Sequence, residues 1–376
     1  MSCRAAVIGI VLIAGTASAA EPDLAQALEA DPSSVDARLA LARAYYAQGE
    51  YARALIEFET VLGYDNLAYD PQGRAEVYDR AAADYAAGRR WSPSYYAESG
   101  VGTYRENSSG STDLFGGAGN YDTFLALRVG GGVNARLGER HSFTGTLDYR
   151  FRRYDDADRR DDSDLRWNFN VSRPVDEDNL RFGLRGRASY RGDGQYRNDW
   201  GVFTNYRIGL GANDQVELGA EVRERRYPRG PLRSRTRDIA EITASWTRSS
   251  ADGRTSLKIG GQGTKEWATQ GRPDGNGSFW GFNGEINHSI GDTLAGFFWW
   301  SYVNESYADE RPDFSTDENL LRVRNDDLWN FGAGLVWRFG SGWSLRPTIE
   351  YNWEDSNLPA LAYSSTEVWV TVRKSF

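Results

Sequence analysis

The end of the sequence, from Val368 to Phe376, alternates strictly between two kinds of residue. In a β-strand, successive side chains point to opposite sides of the sheet. One face of this segment would therefore carry Val368, Val370, Val372 and Phe376. The other face would carry Trp369, Thr371, Arg373 and Ser375. The segment predicts a strand that separates an apolar environment from a polar one.

The same period of two recurs upstream and gives fourteen candidate strands in all. Each is long enough to cross a bilayer when tilted, which needs about 9–11 residues. The candidates lie near 94–106, 121–137, 142–155, 163–174, 180–192, 196–211, 215–227, 236–249, 255–269, 278–290, 293–308, 325–340, 344–357 and 364–376.

The connections between these strands fall into two alternating kinds. Tight turns follow the even-numbered strands, as at 138–141, 211–214 and 340–342. The other connections are mostly longer and more charged, and include 107–120, 228–235, 270–277 and 310–324. Short periplasmic turns that alternate with longer outer loops are typical of outer-membrane barrels, whereas a secreted β-sandwich would not need this alternation. The prediction is a mainly β protein with an antiparallel transmembrane barrel of about 14 strands and both termini in the periplasm.

The terminal strand resembles the last strand of bacterial outer-membrane β-barrels, in which a C-terminal aromatic residue is read by the assembly machinery. The resemblance implies that Phe376 is an assembly signal and that the barrel assembly machinery is a partner. Lys374 replaces the usual apolar residue or Tyr at its position, but a lysine can extend its charged end to the membrane interface.

Residues 1–20 have the pattern of a secretory signal. Arg4 precedes an apolar stretch over 5–14, and small residues follow at 17–20, so cleavage is expected after Ala19 or Ala20. Cys3, the sole cysteine of the sequence, would be lost with the signal. The mean hydropathy of −0.62 is polar. The chain nevertheless has 13 Trp, 21 Tyr and 16 Phe, a combination that fits a barrel with a hydrophilic lumen and aromatic girdles.

Residues 21–90 have a helical period instead and form a predicted periplasmic module ahead of the barrel, which is assigned to 91–376. The stretch 35–62 resembles a tetratricopeptide repeat. Its helix-packing and turn positions hold Leu41, Ala42, Tyr45, Gly49, Tyr51, Ala54 and Phe58. Arg38 replaces the usual Trp of the repeat, and Asn66 replaces the closing Pro. The whole region predicts about four helices, fewer than an independently stable array needs. A simple helical cap on the barrel is the alternative to a binding module.

Conventional catalysis has little support in the sequence. There are two histidines and no cysteine after the signal, which excludes Cys/His metal cages and cysteine nucleophiles. His141 is expected in a turn, and His288 is expected to face lipid. The acidic segment 155–164 is interleaved with arginines and is expected to be a solvated loop rather than a calcium site. We therefore predict no enzyme activity, catalytic residue, cofactor or metal, and the net charge of −9 argues against nucleic acid as a partner.

Charged residues at inward positions of the strands mark the predicted lumen. The basic set is Arg150, Arg152, Arg166, Arg181, Arg185, Arg187, Arg207, Arg223 and Arg225. The acidic set, on later strands, is Glu241, Glu266, Glu285, Glu350 and Glu354. Opposed basic and acidic walls would favour polar solutes or chains. The alternative is that these charges pair, together with Glu217 and Glu221, and fill the lumen.

A signal, a short repeat module and a barrel of this size together resemble the surface lipoprotein assembly modifiers, also called type XI secretion translocators. The resemblance implies a pore that exports a periplasmic protein or polymer cargo. By the register of the repeat, the cargo-binding face would hold Asp36, Leu39, Arg43 and Tyr46. Outer-membrane lipid surrounds such a barrel, and arginines in 223–237 could meet lipopolysaccharide phosphates. The alternatives are a passive porin or solute channel, and a structural barrel that scaffolds an envelope complex.

Overall fold

A computed structural model describes residues 17–32, 34–62, 70–108, 121–138, 140–155, 161–176, 178–192, 194–228, 230–313 and 317–376. Four helices come first: α1 (Ala17–Ala30), α2 (Val35–Ala47), α3 (Tyr51–Val61) and α4 (Pro71–Ala86). Residues 1–16 of the predicted signal lie outside the described residues. Helix α1 begins at Ala17, upstream of the predicted cleavage sites. Among the helices in these ranges, none is both long and apolar enough to cross a membrane.

Fourteen antiparallel strands follow and close into a barrel, in which each strand pairs with its chain neighbours and β1 pairs with β14. They are β1 (Trp91–Ser108), β2 (Tyr121–Arg136), β3 (Ser142–Tyr154), β4 (Asp162–Val175), β5 (Asp178–Arg191), β6 (Gly194–Gly209), β7 (Asp214–Arg226), β8 (Arg237–Ser249), β9 (Thr255–Ala268), β10 (Gly277–Ser289), β11 (Leu294–Asp313), β12 (Asp317–Phe339), β13 (Trp343–Ser356) and β14 (Tyr363–Ser375). Closure leaves no unpaired edge, which a bilayer requires.

The barrel has an apolar outside and a polar inside. Large apolar side chains are exposed at alternate positions, among them Leu125, Leu127, Val129, Leu147, Phe182, Leu184, Val202, Ile242, Ile259, Leu335, Trp337, Ile349, Val368 and Val370. Between them, buried polar residues point inward, such as Asp148, Asp164, Asn170 and Asp199. This alternation is the inverse of that of a soluble barrel and defines a lipid-facing surface. The predicted fold is confirmed, including the number of strands.

The connection predicted at 310–324 is largely wrong. Strands β11 and β12 continue as a two-stranded ribbon as far as the pair Asp313–Asp317, with a register shift between Ser306 and Glu310. The charge of this segment suggested a loop. A ribbon beyond the bilayer has water on both sides, however, so charged residues do not prevent strand pairing there. The predicted loop at 228–235 contains a 3-10 helix at Gly230–Arg235, and most of the loop at 107–120 lies outside the described residues.

The apolar core of the protein lies in the helices rather than in the barrel. Sixteen buried residues form one cluster, drawn from α2, α3, α4 and Leu62 just after α3. The cluster includes Leu39, Tyr45, Phe58 and Tyr78. Helix α2 begins at a Ser34 N-cap, whose side chain accepts from the Ala37 N–H. Helices α2 and α3 are joined through Gly49, whose φ of +78° is left-handed and favours glycine. The helices end at Ala86, and β1 starts at Trp91.

Candidate functional site: the lumen and its helical cap

The C-terminal end of α3 is docked on the inner face of the barrel. A helix leaves its last carbonyl groups without partners of its own. Here the Asn179 amide donates to the Thr60 carbonyl at 2.6 Å, and the Ser142 hydroxyl donates to the Val61 carbonyl at 2.6 Å. Asn179 and Ser142 belong to the barrel, next to the short turns that join β4 to β5 and β2 to β3. The barrel therefore supplies the C-terminal cap of this helix.

Glu59, one residue before these carbonyls, joins the helices to the barrel by charge. Its carboxylate pairs with Arg74 of α4, and Arg207 of β6 approaches it at 2.9 Å. Arg207 also binds Glu217 at 2.8 Å. Arg181 donates to the Glu59 carbonyl, which places a cation at the negative end of the helix. The side chains of Glu59 and Arg207 are 6 % and 7 % exposed, so this ion pair is shielded from water.

Further contacts follow the rim of the barrel at the remaining short turns. Arg38 donates to the Asp176 carbonyl, and Arg53 donates to the Asn213 side chain. The Ala52 N–H donates to the Gly253 carbonyl, and the Gln72 amide donates to the Asp292 carbonyl. Arg338 of the barrel pairs with Asp70. Together with the α3 contacts, all six short-turn hairpins of the described barrel touch the helices. We call helices α1–α4 in this position the helical cap.

Asp70 anchors the start of α4 to the barrel. It is the N-cap of the helix, and its side chain accepts from the Gly73 N–H. Burial alone would raise the pKa of this carboxyl. The Arg338 and Arg346 guanidinium groups outweigh burial and hold the pKa of Asp70 below its usual range. Asp70 therefore remains an anion between the helical cap and the barrel wall.

The fourteen charged residues predicted for the lumen all lie on the inner face, but they do not form opposed basic and acidic walls. The predicted basic side carries its own carboxylates. Arg185 pairs with Glu221, and Arg225 binds Asp199 at 3.2 Å. The prediction of a transverse field is therefore wrong, because cross-strand neighbours neutralise one another. Inward positions are also occupied by three buried carboxylates outside the predicted set, Asp148, Asp164 and Asp199.

Asp164 of β4 organises the largest group of the predicted arginines. Its carboxylate binds Arg150 at 2.7 Å, Arg187 at 2.6 Å and Arg166 at 3.4 Å, and the Ser189 hydroxyl donates to it. The Asp164 side chain is 2 % exposed. One buried carboxylate thus holds three cations along the wall of the lumen.

The other predicted lumen residues are also partnered. Arg152 pairs with Glu367, Arg223 with Glu241, Glu266 with Arg237 and Arg272, Glu354 with Arg324, Glu285 with Asn287, and Glu350 with Asn330 and Asn352. Most of the predicted lumen charges thus pair with a charge of opposite sign, as in the alternative, but they do not fill the lumen, because a cavity remains between them.

The lumen also contains an aromatic surface that was not predicted. Phe297 and Trp299 of β11 point inward and are paired across the sheet with Gly334 and Gly332. A Cβ at either glycine would overlap the ring, so each ring lies directly over a glycine of β12. The two ring planes are 24° apart. Trp369 of β14 extends the surface, and we call Phe297, Trp299 and Trp369 the aromatic wall. The alternation of the strands could have predicted this surface, since both tryptophans and the phenylalanine occupy inward positions.

The aromatic wall and the charged side chains enclose a cavity of about 780 Å³, which we call the chamber. Its charged lining consists of Arg128, Arg166, Arg181, Arg185, Arg187, Arg223, Lys258 and Arg346, and of Glu98, Asp199, Glu217, Glu221, Glu241 and Glu350. The eight cations are balanced, because Asp148 and Asp164 pair with Arg128, Arg166 and Arg187 from behind the lining. Arg166 and Arg185 are the most accessible of these arginines for which an ion pair is described, at 43 % and 44 % exposure. The chamber suits a polar ligand.

The residues predicted to bind cargo on the repeat do not form one surface. Leu39 is 5 % exposed inside the helical core, so its place on a binding face is wrong. Asp36 pairs with Arg136 of the barrel at 2.9 Å. Arg43 pairs with Asp79 of α4 at 2.9 Å. Burial, with the carboxylates of Glu76 and Asp79, raises the pKa of Tyr46 to about 12. The register analysis assumed an isolated repeat, whereas here the barrel and α4 occupy part of its surface.

Other predicted features have clear positions. His288 is exposed on the outer face, where its Nδ1 lies 2.9 Å from the Thr255 hydroxyl. Phe376 is 60 % exposed beside the closing pair of strands, and its N–H donates to the Tyr95 carbonyl. No group of residues with metal-ligand chemistry occurs in the described ranges. Of the acidic segment 155–164, residues 156–160 lie outside those ranges.

Comparison with known proteins adds to the description of both regions. A family model for the tetratricopeptide repeat matches residues 11–75. No curated protein matches the chain. Among solved structures, the chain is similar to OmpT of Vibrio cholerae (TM-score 0.40, 8% identity, 76% of this chain and 100% of that one). It is also similar to the CymD monoaromatic hydrocarbon channel (0.42, 8%, 84% and 94%) and to a Pseudomonas aeruginosa FadL homologue (0.41, 10%, 76% and 90%).

The fold and the site together define a class of protein. The chain is a 14-stranded transmembrane β-barrel preceded by a tetratricopeptide-like helical module. The module is docked across the end of the barrel that carries the short turns.

Proposed function

We propose that the protein is an outer-membrane translocation channel whose helical cap closes the periplasmic mouth at rest. In this proposal the short turns, the helical cap and both termini lie in the periplasm. The cargo is a periplasmic protein or polymer, as in the surface lipoprotein assembly modifiers that the architecture resembles. Its arrival at the helices releases the helical cap from the rim and opens the lumen.

The observation that carries this proposal is the continuity of the contacts around the rim. Every short-turn hairpin of the described barrel contacts the helices, from Ser142 at one hairpin to Arg338 at another. The contacts described above are hydrogen bonds and ion pairs. Polar contacts can be exchanged for water or for cargo at a small net free-energy difference, of about 0.5–1.5 kcal/mol for each ordinary hydrogen bond. Such an interface suits a closure that must be reversible.

Cargo would engage the part of the repeat that the barrel leaves accessible. Arg43 and Asp79 form a half-exposed ion pair there, with 31 % and 25 % of their side chains exposed. Tyr46 lies close by and packs edge-on against Tyr51. Cargo that takes over the Arg43 contact would loosen α4, which also carries the Asp70 anchor. We propose the terminal strand for contact with the barrel assembly machinery, and the arginines near the outer end of β7 for contact with lipopolysaccharide.

Two other functions predict different behaviour. A passive porin would conduct steadily, and a helical cap bonded around its whole mouth would oppose that. A structural scaffold would not conduct even after the helical cap is released. We propose that the barrel transports a ligand rather than catalyses a reaction, because the charges on its inner face are paired with one another.

Planar-bilayer recording of the full-length protein tests the proposal. Wild-type protein should be closed for most of the time. A variant that loses rim contacts, Arg53→Ala with Gln72→Ala, should show frequent openings of one defined conductance. The matched control is Glu29→Gln, which changes an exposed residue of α1. Steady conductance of the wild type would support a passive channel and overturn the proposal. Silence of the rim variant, with its barrel folded, would support a scaffold and also overturn it.

A further inference from the structure

The end of the barrel opposite the helical cap, which is its outer end in the proposed orientation, is more closely filled than the chamber. Phe124, Tyr154 and Tyr307 point inward in the outer parts of their strands and are buried. In the chamber, by contrast, the inward side chains of Arg166 and Arg185 are half-exposed. Inward side chains lose contact with water only where other groups fill the space in front of them. The lumen is therefore narrower at its outer end than in the chamber.

One segment accounts for part of this filling. Residues 269–276, which connect β9 to β10 and which we call the strap, are tied to the ribbon formed by β11 and β12. The Asp274 side chain is buried and binds Arg311 at 3.1 Å and Arg324 at 3.3 Å. The Asp274 carbonyl also accepts from the Asp309 N–H at 3.1 Å. One residue of the strap thus contacts both strands of the ribbon.

A second residue of the strap reaches the inner face of the barrel. Arg272 binds the buried Glu266 carboxylate of β9 at 2.8 Å. Its guanidinium carbon lies 4.6 Å from the centre of the Tyr307 ring, and that of Arg324 lies 4.8 Å from the same centre. Tyr307 occupies the register shift of β11, and a bulge of this kind can re-aim a side chain. The strap and the ribbon are therefore joined through one inward ring by cation–π contacts.

The composition of the strap suits a segment that can be released. Between Thr269 and Asn276, Pro273 is the sole residue without a polar or glycine side chain. Gly271 and Gly275 have φ values of +65° and +69°, so the strap turns twice through left-handed backbone. Its ion pairs and hydrogen bonds can be exchanged for water at a small net free-energy difference. The strap can thus leave the ribbon while the β9–β10 pairing, which begins at Gly277, remains intact.

The strap also lies on the path from the chamber to the outer end. Lys258 of β9 lines the chamber, whereas Glu266, farther along the same strand and away from the short turns, holds the strap. On β8, Glu241 lines the chamber, and Arg237, which pairs with Glu266 at 2.7 Å, lies farther out. A solute that leaves the chamber at this end must therefore pass the strap.

We propose that the strap is a second gate, which narrows the outer mouth at rest and moves away from Tyr307 and the ribbon when cargo leaves the chamber. This inference rests on the orientation given in the proposed function and adds a closure at the opposite end of the lumen. Two closures in series keep such a barrel shut at one end while the other end is open.

Thiol labelling from outside intact cells tests the strap without requiring the helical cap to open. Thr243, which lines the chamber, is replaced by cysteine in a Cys3→Ser background. The probe is a sulfonated fluorophore maleimide that is too large for general porins, and total cysteine is measured after denaturation. With the strap intact, labelling should be slow. Asp274→Asn should accelerate it about tenfold or more, because a buried carboxylate that holds two guanidinium groups is lost.

The controls separate the two ends of the barrel. Arg322→Gln changes an exposed arginine of the same ribbon and should leave the labelling rate unchanged. Arg53→Ala with Gln72→Ala should also leave it unchanged, since these residues belong to the helical cap. Arg311→Gln, which removes one contact of the strap, should give a smaller acceleration and serves where Asp274→Asn does not reach the membrane.

Three results would overturn the inference. They are fast labelling with the strap intact, no acceleration in either strap variant, and equal acceleration in Arg322→Gln. Acceleration by the helical-cap variant instead of the strap variants would overturn both the inference and the proposed orientation. If the strap variants behave as expected while the channel recordings fail, the proposed function alone is overturned.

Discussion

Arg207 of the barrel wall and Glu59 of α3 form a buried ion pair at 2.9 Å, and this pair connects the lumen to the helical cap. Arg207 lies between two carboxylates, because Glu217 is on its other side. Loss of Glu59 would therefore leave the arginine with one partner. The position of the helical cap is sensitive to this residue without the barrel depending on it.

Glu59→Gln should weaken the docking of the helical cap. Removing one partner of a buried pair costs about 3–5 kcal/mol, and the remaining partner of Arg207 reduces this to about 1–3 kcal/mol. The open probability in planar bilayers should rise by about tenfold or more. Glu29→Gln, on the exposed side of α1, is the matched control and should have no effect. Unchanged gating in Glu59→Gln would show that this pair does not hold the closure.

Acid should release the helical cap through Asp70. The native pKa of Asp70 is held below its unfolded value, so the stability that this residue contributes is present above the unfolded pKa. That contribution is lost as the pH falls below about 4 and through the lower native pKa. Recordings over this range should show increased opening in wild type. Asp70→Asn should open more at neutral pH and show a smaller change on acidification; an unaltered pH response in this variant would contradict the assignment.

Gly49→Ala should destabilise the helices while the barrel remains folded. The φ of +78° at this position is unfavourable for alanine by about 1–2 kcal/mol. The backbone also forms the helix-ending bonds there, from Gly49 N–H to Tyr46 and from Glu50 N–H to Tyr45. Proteolysis of the helical region at increasing temperature measures the effect. Gly291→Ala is the control, because it lies in a short turn with open space around it.

Gly332→Ala should disturb the aromatic wall specifically. A Cβ at this position would overlap the Trp299 ring, and such overpacking costs about 1–3 kcal/mol. The near-ultraviolet circular dichroism should change and the unfolding temperature should fall. In a Trp299→Ala background the same substitution should be nearly neutral. Equal costs in both backgrounds would show that the ring does not rest on the glycine.

Asp164→Asn should destabilise the barrel more than any single change on the exposed rim. It would leave Arg150, Arg166 and Arg187 without their common carboxylate, with an expected cost of about 3–5 kcal/mol. Heat-dependent migration of the folded barrel in gels gives the unfolding temperature. Asp162→Asn is the matched control, since Asp162 is more exposed and meets Arg150 at 3.4 Å. A similar fall in both variants would contradict a special role for Asp164.

The barrel could be predicted from the sequence because the alternation of apolar and polar residues is a local pattern. Each strand alternates within its own residues, so the inward position of Arg150 or Glu350 follows without knowledge of the neighbours. The pairing of Arg185 with Glu221 needed more, since it joins β5 to β7 across an intervening strand. The role of Gly332 also could not be read locally, because it depends on the register that sets it opposite Trp299.

The helical cap was the least predictable feature. The repeat register assigns Leu39 and Asp36 to α2, but it does not predict which residues cover them. Leu39 is covered by the other helices, and Asp36 is paired with Arg136, a barrel residue one hundred positions away along the chain. The end of α3 binds Asn179 and Ser142, which are likewise distant along the chain. Such contacts involve only one or two polar side chains on each element and leave no periodic pattern.

Reversible cross-linking of the helical cap to the rim tests the central claim most directly. Arg53 and Asn213 touch at 2.8 Å across this interface, and cysteines at both positions can be joined by a reducible bis-thiosulfonate linker. In a Gln72→Ala background, where Arg53→Cys also removes the Arg53 contact, the channel should open frequently before cross-linking. The cross-link should close it, and reduction should restore opening. Each single-cysteine variant serves as a control. Continued conductance through the cross-linked protein would contradict the account, because a lumen that conducts with its helices fixed to the rim is not closed by them.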